Sequence, residues 1–402
     1  MISGVLLISS LYEGYLKSFY ERHKIDDMSY SEHLQKLLND STDFVSSYTK
    51  TFNRIGVNTS CIIANDNALQ KKWARENSLK RTSSELLVFE QVSRYKPEVL
   101  FIEDLRFVSI DLLKKIRAEV SEVKLIVAYH CAPFDRLLLD KLNFVDLILT
   151  CTPGLRDQFS SFNINSYLVY HGFDVDFLNK LRNNSVRKYD RIVFSGSLFQ
   201  GKGYHNDRLE LIEKILENNI NISLYANLES NCKIKVKKGL YSVNLLLQSL
   251  KVNSLTSSIS FLGKSTERIK GYSKLLRSSV NNPVFGLEMY QILNKYGIVL
   301  NNHGQVAGNY AGNMRMFEAT GVGACLITDK KQNMTDLFDM DKEVVVYNGH
   351  EDCLEKIKWL LSNESKAQQI AESGQKKTLL SHTVENRCNE IVDILEVELK
   401  KK

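Results

Sequence analysis

The chain has 402 residues, of which 43% are hydrophobic and 25% charged, with four prolines and a net charge of +6. These values are typical of globular proteins and exclude long disordered linkers. Its apolar runs fall short of the ~18 residues that span a bilayer, and the N-terminus lacks the basic and apolar segments of a signal peptide. The length favours two domains, which we expect in the cytoplasm.

In the first half of the chain, short β-branched runs alternate with helical stretches, which indicates βα units on a parallel sheet. Strands are predicted at Val5–Ser9, Thr59–Ala64, Val99–Glu103, Lys124–Tyr129, Leu147–Cys151 and Ser166–Tyr170. Helices are predicted at Ser83–Tyr95, Ile110–Val120, Phe134–Leu142 and Pro153–Phe162. The pattern predicts a Rossmann-like domain over residues 1–178.

The second half repeats this pattern. Strands are predicted at Arg191–Ser195, Ile222–Tyr225, Ser258–Leu262, Gly297–Asn301, Ala324–Thr328 and Glu343–Tyr347. Helices are predicted at Asp207–Asn218, Val243–Asn253, Pro283–Lys295, Met314–Thr320, Glu351–Leu361, Lys366–Thr378 and Val384–Leu399. Residues 191–383 thus form a second domain, and the polar stretch 179–190 is the linker. We expect residues 384–402 to pack back on the first domain.

The predicted fold class is therefore α/β, with two parallel-sheet domains. Sheets of this kind bind ligands at the carboxyl ends of their strands, so we expect the ligand in a cleft between the two domains.

The cysteines show no metal-binding or disulfide pattern. They number seven, none is in a CxxC pair, and no Cys/His cluster is visible along the sequence. An odd, scattered set suits a reducing compartment. The strings Asp174–Asp176 and Asp339–Asp341 lie outside the position that metal-dependent transferases use, so we predict no metal and no cofactor.

Residues 297–329 are the most informative stretch, because a strand is followed there by a loop rich in glycine and asparagine and then by a short helix. The loop residues are glycines 304, 308 and 312 and asparagines 301, 302, 309 and 313. Such residues leave backbone N–H groups bare, and a bare turn before a helix binds anions. Arg315 in the first helical turn can fork two phosphate oxygens, and Glu318 on the same face can accept ribose hydroxyls. The alternative is a surface Arg–Glu pair.

This stretch resembles the donor-binding signature "N-x-R-x-F-E-A" of GT-B glycosyltransferases of the group 1 type, and is most similar to their CgeB-like branch. The matching residues are Asn313, Arg315, Phe317, Glu318 and Ala319. The resemblance extends over about residues 125–390. It implies that Glu318 holds the donor ribose and that Arg315 and the loop hold the diphosphate. The loop includes Asn302, Tyr310, Gly312 and Asn313.

Tyr310 departs from the family pattern, because many retaining members carry a glutamate at that position. The stereochemical outcome therefore stays open.

A second glycine-rich loop follows the strand at 191–195. Gly196–Lys202 nearly forms a P-loop, but Gly203 replaces the Ser or Thr that would bind magnesium. A P-loop NTPase is therefore a distant alternative. In the glycosyltransferase interpretation, Gly196 and Ser197 approach the diphosphate, while Lys202 or Arg208 neutralises it.

Two histidines follow predicted strands and are candidates for catalysis. His130 and His303 each lie at a carboxyl end, where an imidazole can orient an acceptor or exchange a proton. A structural role is as plausible for each, and His171 is interpreted as structural.

Residues 231–280 carry most of the positive charge, with ten lysines and arginines against Glu267 alone. This segment is either a solvated face or a docking surface for anionic lipid or another polyanion. Nucleic acid is excluded because no reader motif accompanies the charge.

These features predict transfer of a sugar from a nucleoside-diphosphate sugar to a glycan, lipid-linked or protein acceptor, as in cell-surface polysaccharide biosynthesis. The resemblance implies a metal-independent, retaining reaction. Two alternatives share the fold: a sugar-nucleotide epimerase, and a non-catalytic protein that binds nucleotide or glycan.

Overall fold

The computed structural model describes residues 2–79, 83–181, 187–201, 205–249, 268–304 and 308–402. The chain divides into two compact units. Unit 1 comprises Met1–Arg182, Phe285–Tyr290 and Thr378–Lys402, and unit 2 comprises Asn183–Val284 and Gln291–Lys377. Among the described residues, no helix is long and apolar enough to cross a membrane.

Unit 1 is built on a parallel sheet with the strand order β2-β1-β3-β4-β5-β6. The strands are β1 (Val5–Ser9), β2 (Thr59–Ile63), β3 (Val99–Ile102), β4 (Leu125–Tyr129), β5 (Leu147–Thr150) and β6 (Ser166–Leu168). The helices are α1 (Glu13–Arg22), α2 (Tyr30–Asp40), α3 (Phe44–Arg54), α4 (Asn67–Glu76), α5 (Ser84–Tyr95), α6 (Ile110–Glu119), α7 (Arg136–Leu142), α8 (Pro153–Ser161) and α9 (Asp176–Lys180). The central strands are almost entirely apolar because helices cover both faces of the sheet.

Helices α1 to α4 escaped prediction. Helix α3 shows why, because it buries Ser46, Ser47, Thr49 and Thr51 together with its apolar residues. Its apolar residues Phe44, Val45, Tyr48 and Phe52 do recur at helical spacing, but the serines and threonines between them are weak helix formers and obscured that stripe.

Unit 2 contains a second parallel sheet with the order β12-β11-β10-β7-β8-β9. Its strands are β7 (Lys188–Ser197), β8 (Ile222–Asn227), β9 (Val280–Asn281), β10 (Tyr296–Leu300), β11 (Cys325–Asp329) and β12 (Val345–Tyr347). The later helices are α10 (Asn206–Glu217), α11 (Asn231–Ser249), α12 (Lys274–Ser279), α13 (Gly286–Lys295), α14 (Met314–Gly321), α15 (Met334–Leu337), α16 (His350–Ser362), α17 (Glu364–Ser381) and α18 (Val384–Leu399). The predicted α/β class with two parallel sheets is confirmed.

Some predicted elements differ from the structure or lie outside the described residues. Helix α11 begins at Asn231, twelve residues before its predicted start at Val243, and strand β9 was not predicted. The predicted strand Ser258–Leu262 lies outside the described residues. Part of the predicted linker 179–190 also lies outside the described residues. Helix α9 overlaps its first end and strand β7 overlaps its second end.

The last helix, α18, is part of unit 1 and buries Val384, Cys388, Ile391 and Leu395 in the same core as β1 and α3. Its start is tied to the segment after β6 by backbone bonds. The Phe173 amide donates to the carbonyl of His382 at 2.8 Å, and the amide of Val384 donates to Phe173 at 2.9 Å. These bonds bring the two backbones so close that only glycine fits at position 172 without a shift, since a Cβ there would lie 2.7 Å from the backbone of Thr383.

We predict that Gly172→Ala destabilises the protein by about 1–3 kcal/mol, because the added methyl group meets backbone atoms that cannot rotate away. Urea unfolding measures the change. Gly4→Ala is the matched control in the same unit, since its new Cβ would meet its nearest neighbour at an ordinary 3.8 Å. Equal stability of the two variants would contradict the close packing.

Candidate donor-binding site

The strand order of unit 2 creates a switch point between β7 and β10. From β7 the chain proceeds to β8 and β9 on one side of the sheet, and from β10 it proceeds to β11 and β12 on the other. The loops that leave the carboxyl ends of β7 and β10 therefore diverge, and the crevice between such loops is where doubly wound sheets bind ligands.

Arg208 joins these two loops. It lies in the first turn of α10, is 9% exposed, and donates from Nε to the carbonyl of Asn302 and from Nη1 to that of Ser197, both at 3.0 Å. Burial lowers its pKa to about 10, and the charge of Arg315 adds to the shift. Arg208 thus holds the ends of β7 and β10 in place, while a second cation lies close enough to repel it.

Two consecutive asparagines organise the loop after β10. The amide of Asn302 donates to Asp207 at 2.8 Å and to the hydroxyl of Tyr347 at 3.1 Å. Asn301 accepts from the side chain of Asn313, the residue before α14, at 2.8 Å. The loop is therefore connected to both α10 and the start of α14 through partly buried side-chain bonds.

The position of His303 after β10 suggested that its side chain faces open space at the strand end. The structure shows otherwise. The His303 side chain is completely buried, with Nδ1 2.7 Å from Asp329 and Nε2 3.0 Å from the sulfur of Met316. Burial alone would raise the pKa of Asp329, but His303 and Lys331 outweigh it and lower the pKa to about 2. These contacts support a positioning role for His303 and leave its ring no open path to a substrate.

Arg315 and Glu318 form an ion pair of 2.8 Å on α14, with side-chain exposures of 17% and 9%. The alternative interpretation, a surface Arg–Glu pair, is therefore correct that the two side chains form an ion pair. It is wrong that the pair is exposed, because both side chains are mostly buried. A mostly buried ion pair on one helix, beside a second buried arginine, is costly to desolvate and therefore adds little to stability.

Two described glycines of the loop after β10 have the positive φ values that its composition predicted. Gly304 and Gly308 have φ values of +69° and +55°. Gly312 is buried and Tyr310 is half-buried, next to Ala311, whose amide donates to Asn333 at 2.7 Å. The loop is therefore held against the residues after β11.

His205 was not considered from the sequence, yet it lies at the switch point. A Cβ on Gly304 would be 2.6 Å from its Nδ1, an atom that is buried without a hydrogen-bond partner among the described residues. Burial and the charge of Arg208 lower the pKa of His205 to about 4, so the ring is neutral. No sequence signal marks it, because only the fold brings it to Gly304.

The remaining predicted donor-site residues lie at the end of β7. Gly196 and Ser197 are its last two residues, and a Cβ on Gly196 would be 3.7 Å from Nη1 of Arg208. Lys202 lies outside the described residues. The structure thus gathers Gly196, Ser197, Arg208 and Asn302 directly, and Asn313 through its bond to Asn301.

In unit 1, His130 follows β4 as expected. Burial lowers its pKa, and its Nε2 has no hydrogen-bond partner within the described parts of the chain. Its ring packs edge-on against Phe134 and Phe159. Because this nitrogen is itself buried, contact between His130 and an acceptor stays a prediction.

Unit 1 also contains an acidic cluster that the sequence analysis missed. Its strand order makes β1 and β3 the switch point, and there Ser9 donates to Glu103 at 2.7 Å while Arg106 donates to Asp104 at 2.8 Å. Ser10 also bonds to Asp104. Burial raises the pKa of Glu103 to about 7, an effect that the Ser9 bond only partly offsets. The signal in the sequence was a pair of adjacent acids, with Glu103 as the last residue of the predicted strand and Asp104 directly after it.

Comparison with known proteins bears on the fold and the class of protein. Residues 244–393 match the family model described as glycosyl transferase-like. The structure is similar to a glycosyltransferase from Rickettsia africae, with a TM-score of 0.55, 11% identity and full coverage of both chains. It is also similar to the Anabaena protein HepE in complex with UDP-glucose, with a TM-score of 0.53, 11% identity and coverage of 98% of this chain and 99% of the other. No match to a curated protein was found.

A third similar structure is sucrose-phosphate synthase from Thermosynechococcus elongatus, with a TM-score of 0.56, 8% identity and full coverage of both chains. At these identities the likeness establishes the fold, which is GT-B. Together, the family model and the fold support a glycosyltransferase, and the matched segment contains the loop after β10 and the whole of α14.

The raised pKa of Glu103 predicts a pH dependence of stability. Its pKa is about 7 in the folded protein against 4.5 for a free glutamate, so the folded state binds the proton more tightly. Its contribution is therefore fully present below about pH 4.5 and is lost as the pH rises to 7. Each pKa unit corresponds to about 1.4 kcal/mol, so the loss amounts to at most about 3 kcal/mol.

Glu103→Gln should reduce the loss of stability between pH 5 and pH 8, measured by urea unfolding at both values. Glu13→Gln, an exposed glutamate of α1, is the control and should leave the pH profile unchanged. A profile for Glu103→Gln that matches the unsubstituted protein would show that folding does not raise the pKa of Glu103.

Proposed function

We propose that this protein transfers a sugar from a nucleoside-diphosphate sugar to an acceptor hydroxyl of a glycan, a lipid-linked saccharide or a protein, and that it belongs near the CgeB-like branch. The observation that carries the proposal is the convergence of Arg208 and Arg315 at the switch point of unit 2. Arg208 is buried there, and the charge of Arg315 contributes to lowering its pKa. Two mutually repelling cations beside a glycine-rich turn favour a doubly charged anion.

The proposed binding mode assigns different tasks to the two arginines. Arg208 uses its donors on the Ser197 and Asn302 carbonyls and so shapes the pocket. Arg315 is more exposed and is paired with Glu318. On binding, Arg315 turns to the diphosphate, and Glu318 accepts the two ribose hydroxyls of the nucleoside. Gly196, Gly304 and Gly312 allow the backbone to approach the phosphates.

The chemistry requires stabilisation of the leaving nucleoside diphosphate. As the glycosidic bond breaks, negative charge grows on the β-phosphate, and a fixed arginine with backbone N–H groups stabilises that charge in a water-poor site. We propose that Arg315 supplies what Mg²⁺ supplies in metal-dependent transferases, and that the reaction retains the anomeric configuration. Retention here would not use a carboxylate at position 310, where Tyr310 stands.

UDP is the first nucleotide to test, because the similar Anabaena structures are complexes with UDP and with UDP-glucose. Glu318→Gln should weaken UDP binding roughly 10- to 100-fold, since it removes a charge-assisted acceptor of two hydrogen bonds. Isothermal titration calorimetry measures the affinity. Arg315→Lys should lower kcat more than it weakens UDP binding, because the charge that Arg315 meets develops late. Unchanged UDP affinity in Glu318→Gln would remove the ribose role.

Unit 2 offers a matched control. Asp339 and Lys342 have the same three-residue spacing and a contact of 2.9 Å, but their side chains are 54% and 76% exposed. Asp339→Asn should leave UDP affinity and turnover unchanged. The rate is measured in metal-depleted buffer with an acceptor, and added Mg²⁺ or Mn²⁺ should not increase it. Turnover of the donor without acceptor would instead favour the epimerase, and binding without turnover the non-catalytic alternative.

We further propose that α11 contributes to contact with the inner face of the membrane. Lys233 and Lys235 are exposed on this helix, as are Leu245 and Leu246, which are 48% and 60% exposed. Lysines combined with exposed aliphatic side chains are typical of surfaces that lie on anionic lipid. Such contact would bring the enzyme to a lipid-linked acceptor.

The double variant Lys233→Glu/Lys235→Glu should reduce co-sedimentation with phosphatidylglycerol vesicles by at least tenfold and leave the low background with phosphatidylcholine vesicles unchanged. Each lysine near the surface is worth about 1 kcal/mol, and the substitution also reverses the charge. Lys358→Glu/Lys366→Glu changes the net charge of the same unit equally and is the control. Equal loss in both double variants would show that net charge, rather than α11, governs the binding.

A further inference from the structure

Three potential metal ligands that are far apart in the sequence meet in unit 1. Cys131 follows β4, Cys151 follows β5, and His171 lies three residues after β6. The two sulfurs and a ring nitrogen of His171 all lie within 4.8 Å of one another. From the sequence we expected no Cys/His cluster. That expectation is wrong, because the fold brings these three residues together.

The parallel sheet explains why the two cysteines meet. Strands β4 and β5 pair with Tyr129 opposite Leu149, and the amide of His130 continues the ladder by donating to Leu149 at 2.9 Å. In this register Cys131 comes opposite Cys151. Since neighbouring strands lie about 4.8 Å apart, two cysteines at this position are held side by side.

Tyr129 determines which nitrogen of His171 carries the proton. The tyrosine hydroxyl lies 3.2 Å from the carbonyl of Val169 and 3.2 Å from Nδ1 of His171. Because a carbonyl can only accept, the hydroxyl donates its proton to Val169, and its oxygen accepts from Nδ1–H. The neutral ring then has its lone pair on Nε2, and a fixed tautomer with a hydrogen-bonded second nitrogen is usual for metal-binding histidines.

The backbone around His171 is also fixed. Arg387 of α18 donates from Nε to the carbonyl of His171 at 3.2 Å, and the amide of Phe173 donates to His382 at 2.8 Å. The imidazole is therefore presented by a segment that is bonded on both sides. Cys151 is buried, whereas Cys131 and His171 are partly exposed, which leaves a route for an ion and for a water ligand.

We propose that Cys131, Cys151 and His171 bind a zinc ion, with water as the fourth ligand. Two thiolates and one imidazole are a ligand set that Zn²⁺ prefers. The two thiolates neutralise the ion, so the occupied site buries no net charge. In a tetrahedral site with Zn–S bonds of about 2.3 Å, the two sulfurs are about 3.8 Å apart, so side-chain adjustments of about 1 Å suffice.

The proposal is independent of the donor site, which lies in unit 2, and its test does not use activity. The full-length protein is reduced, stripped of metal and titrated with Co²⁺, whose thiolate complexes absorb strongly in the near ultraviolet. We expect one Co²⁺ per chain with this absorption, and displacement by one equivalent of Zn²⁺, which binds more tightly. X-ray absorption of the zinc form should show two sulfur ligands and further nitrogen or oxygen ligands.

Cys131→Ser and His171→Gln, at the two partly exposed positions, should each weaken Co²⁺ binding by at least tenfold while circular dichroism remains unchanged. Cys232→Ser is the control, because it removes an exposed cysteine outside the cluster. Absence of the thiolate absorption would overturn the proposal. Co²⁺ binding that survives Cys131→Ser, or that is lost in Cys232→Ser, would also overturn it. A Cys131–Cys151 disulfide that persists after treatment with reductant would do the same.

Discussion

The candidate site depends on two hydrogen bonds that the side chain of Arg208 donates to backbone carbonyls. Ser197 is the last residue of β7, and Asn302 lies two residues after β10; the onward connections of these strands run in opposite directions across the sheet. Without a bridge, a crevice between such loops would open or close freely. One guanidinium bonds to both, and its burial makes those bonds costly to lose because each would leave a buried polar group unpaired.

The same residue also sets the electrostatics of the site. Arg208 is inside the protein, and Asp207 and Asp329 offset part of its charge. The carboxylate of Asp329 also bonds to His303, so it both pairs with His303 and offsets the charge of Arg208. A nucleoside diphosphate would therefore enter a crevice in which the anionic groups are already paired, while Arg315 can exchange its carboxylate partner for phosphate.

The sequence predicted those parts of the molecule that depend on local pattern. Strand β10, the loop after it and helix α14 were placed within one or two residues, because an apolar run, a glycine-rich loop and a helix start follow one another there. Helix α3 was missed because serines and threonines, which are weak helix formers, interrupt its apolar stripe. The spacing of Arg315 and Glu318 predicted their contact, but only the packing of α14 could show that the pair is mostly buried.

The failures at single residues have a common physical cause. A strand end indicates which edge of the sheet a side chain reaches, but it does not indicate what else reaches that edge. His130 and His303 both follow a strand, one and three residues after its end. Asp329 and Met316 enclose His303, whereas Nε2 of His130 meets no partner among the described residues. In the same way, Cys131 and Cys151 become neighbours only through strand register. The role of a polar residue at a strand end is therefore decided by the adjacent strand, and it can be inferred from sequence only once the strand order is known.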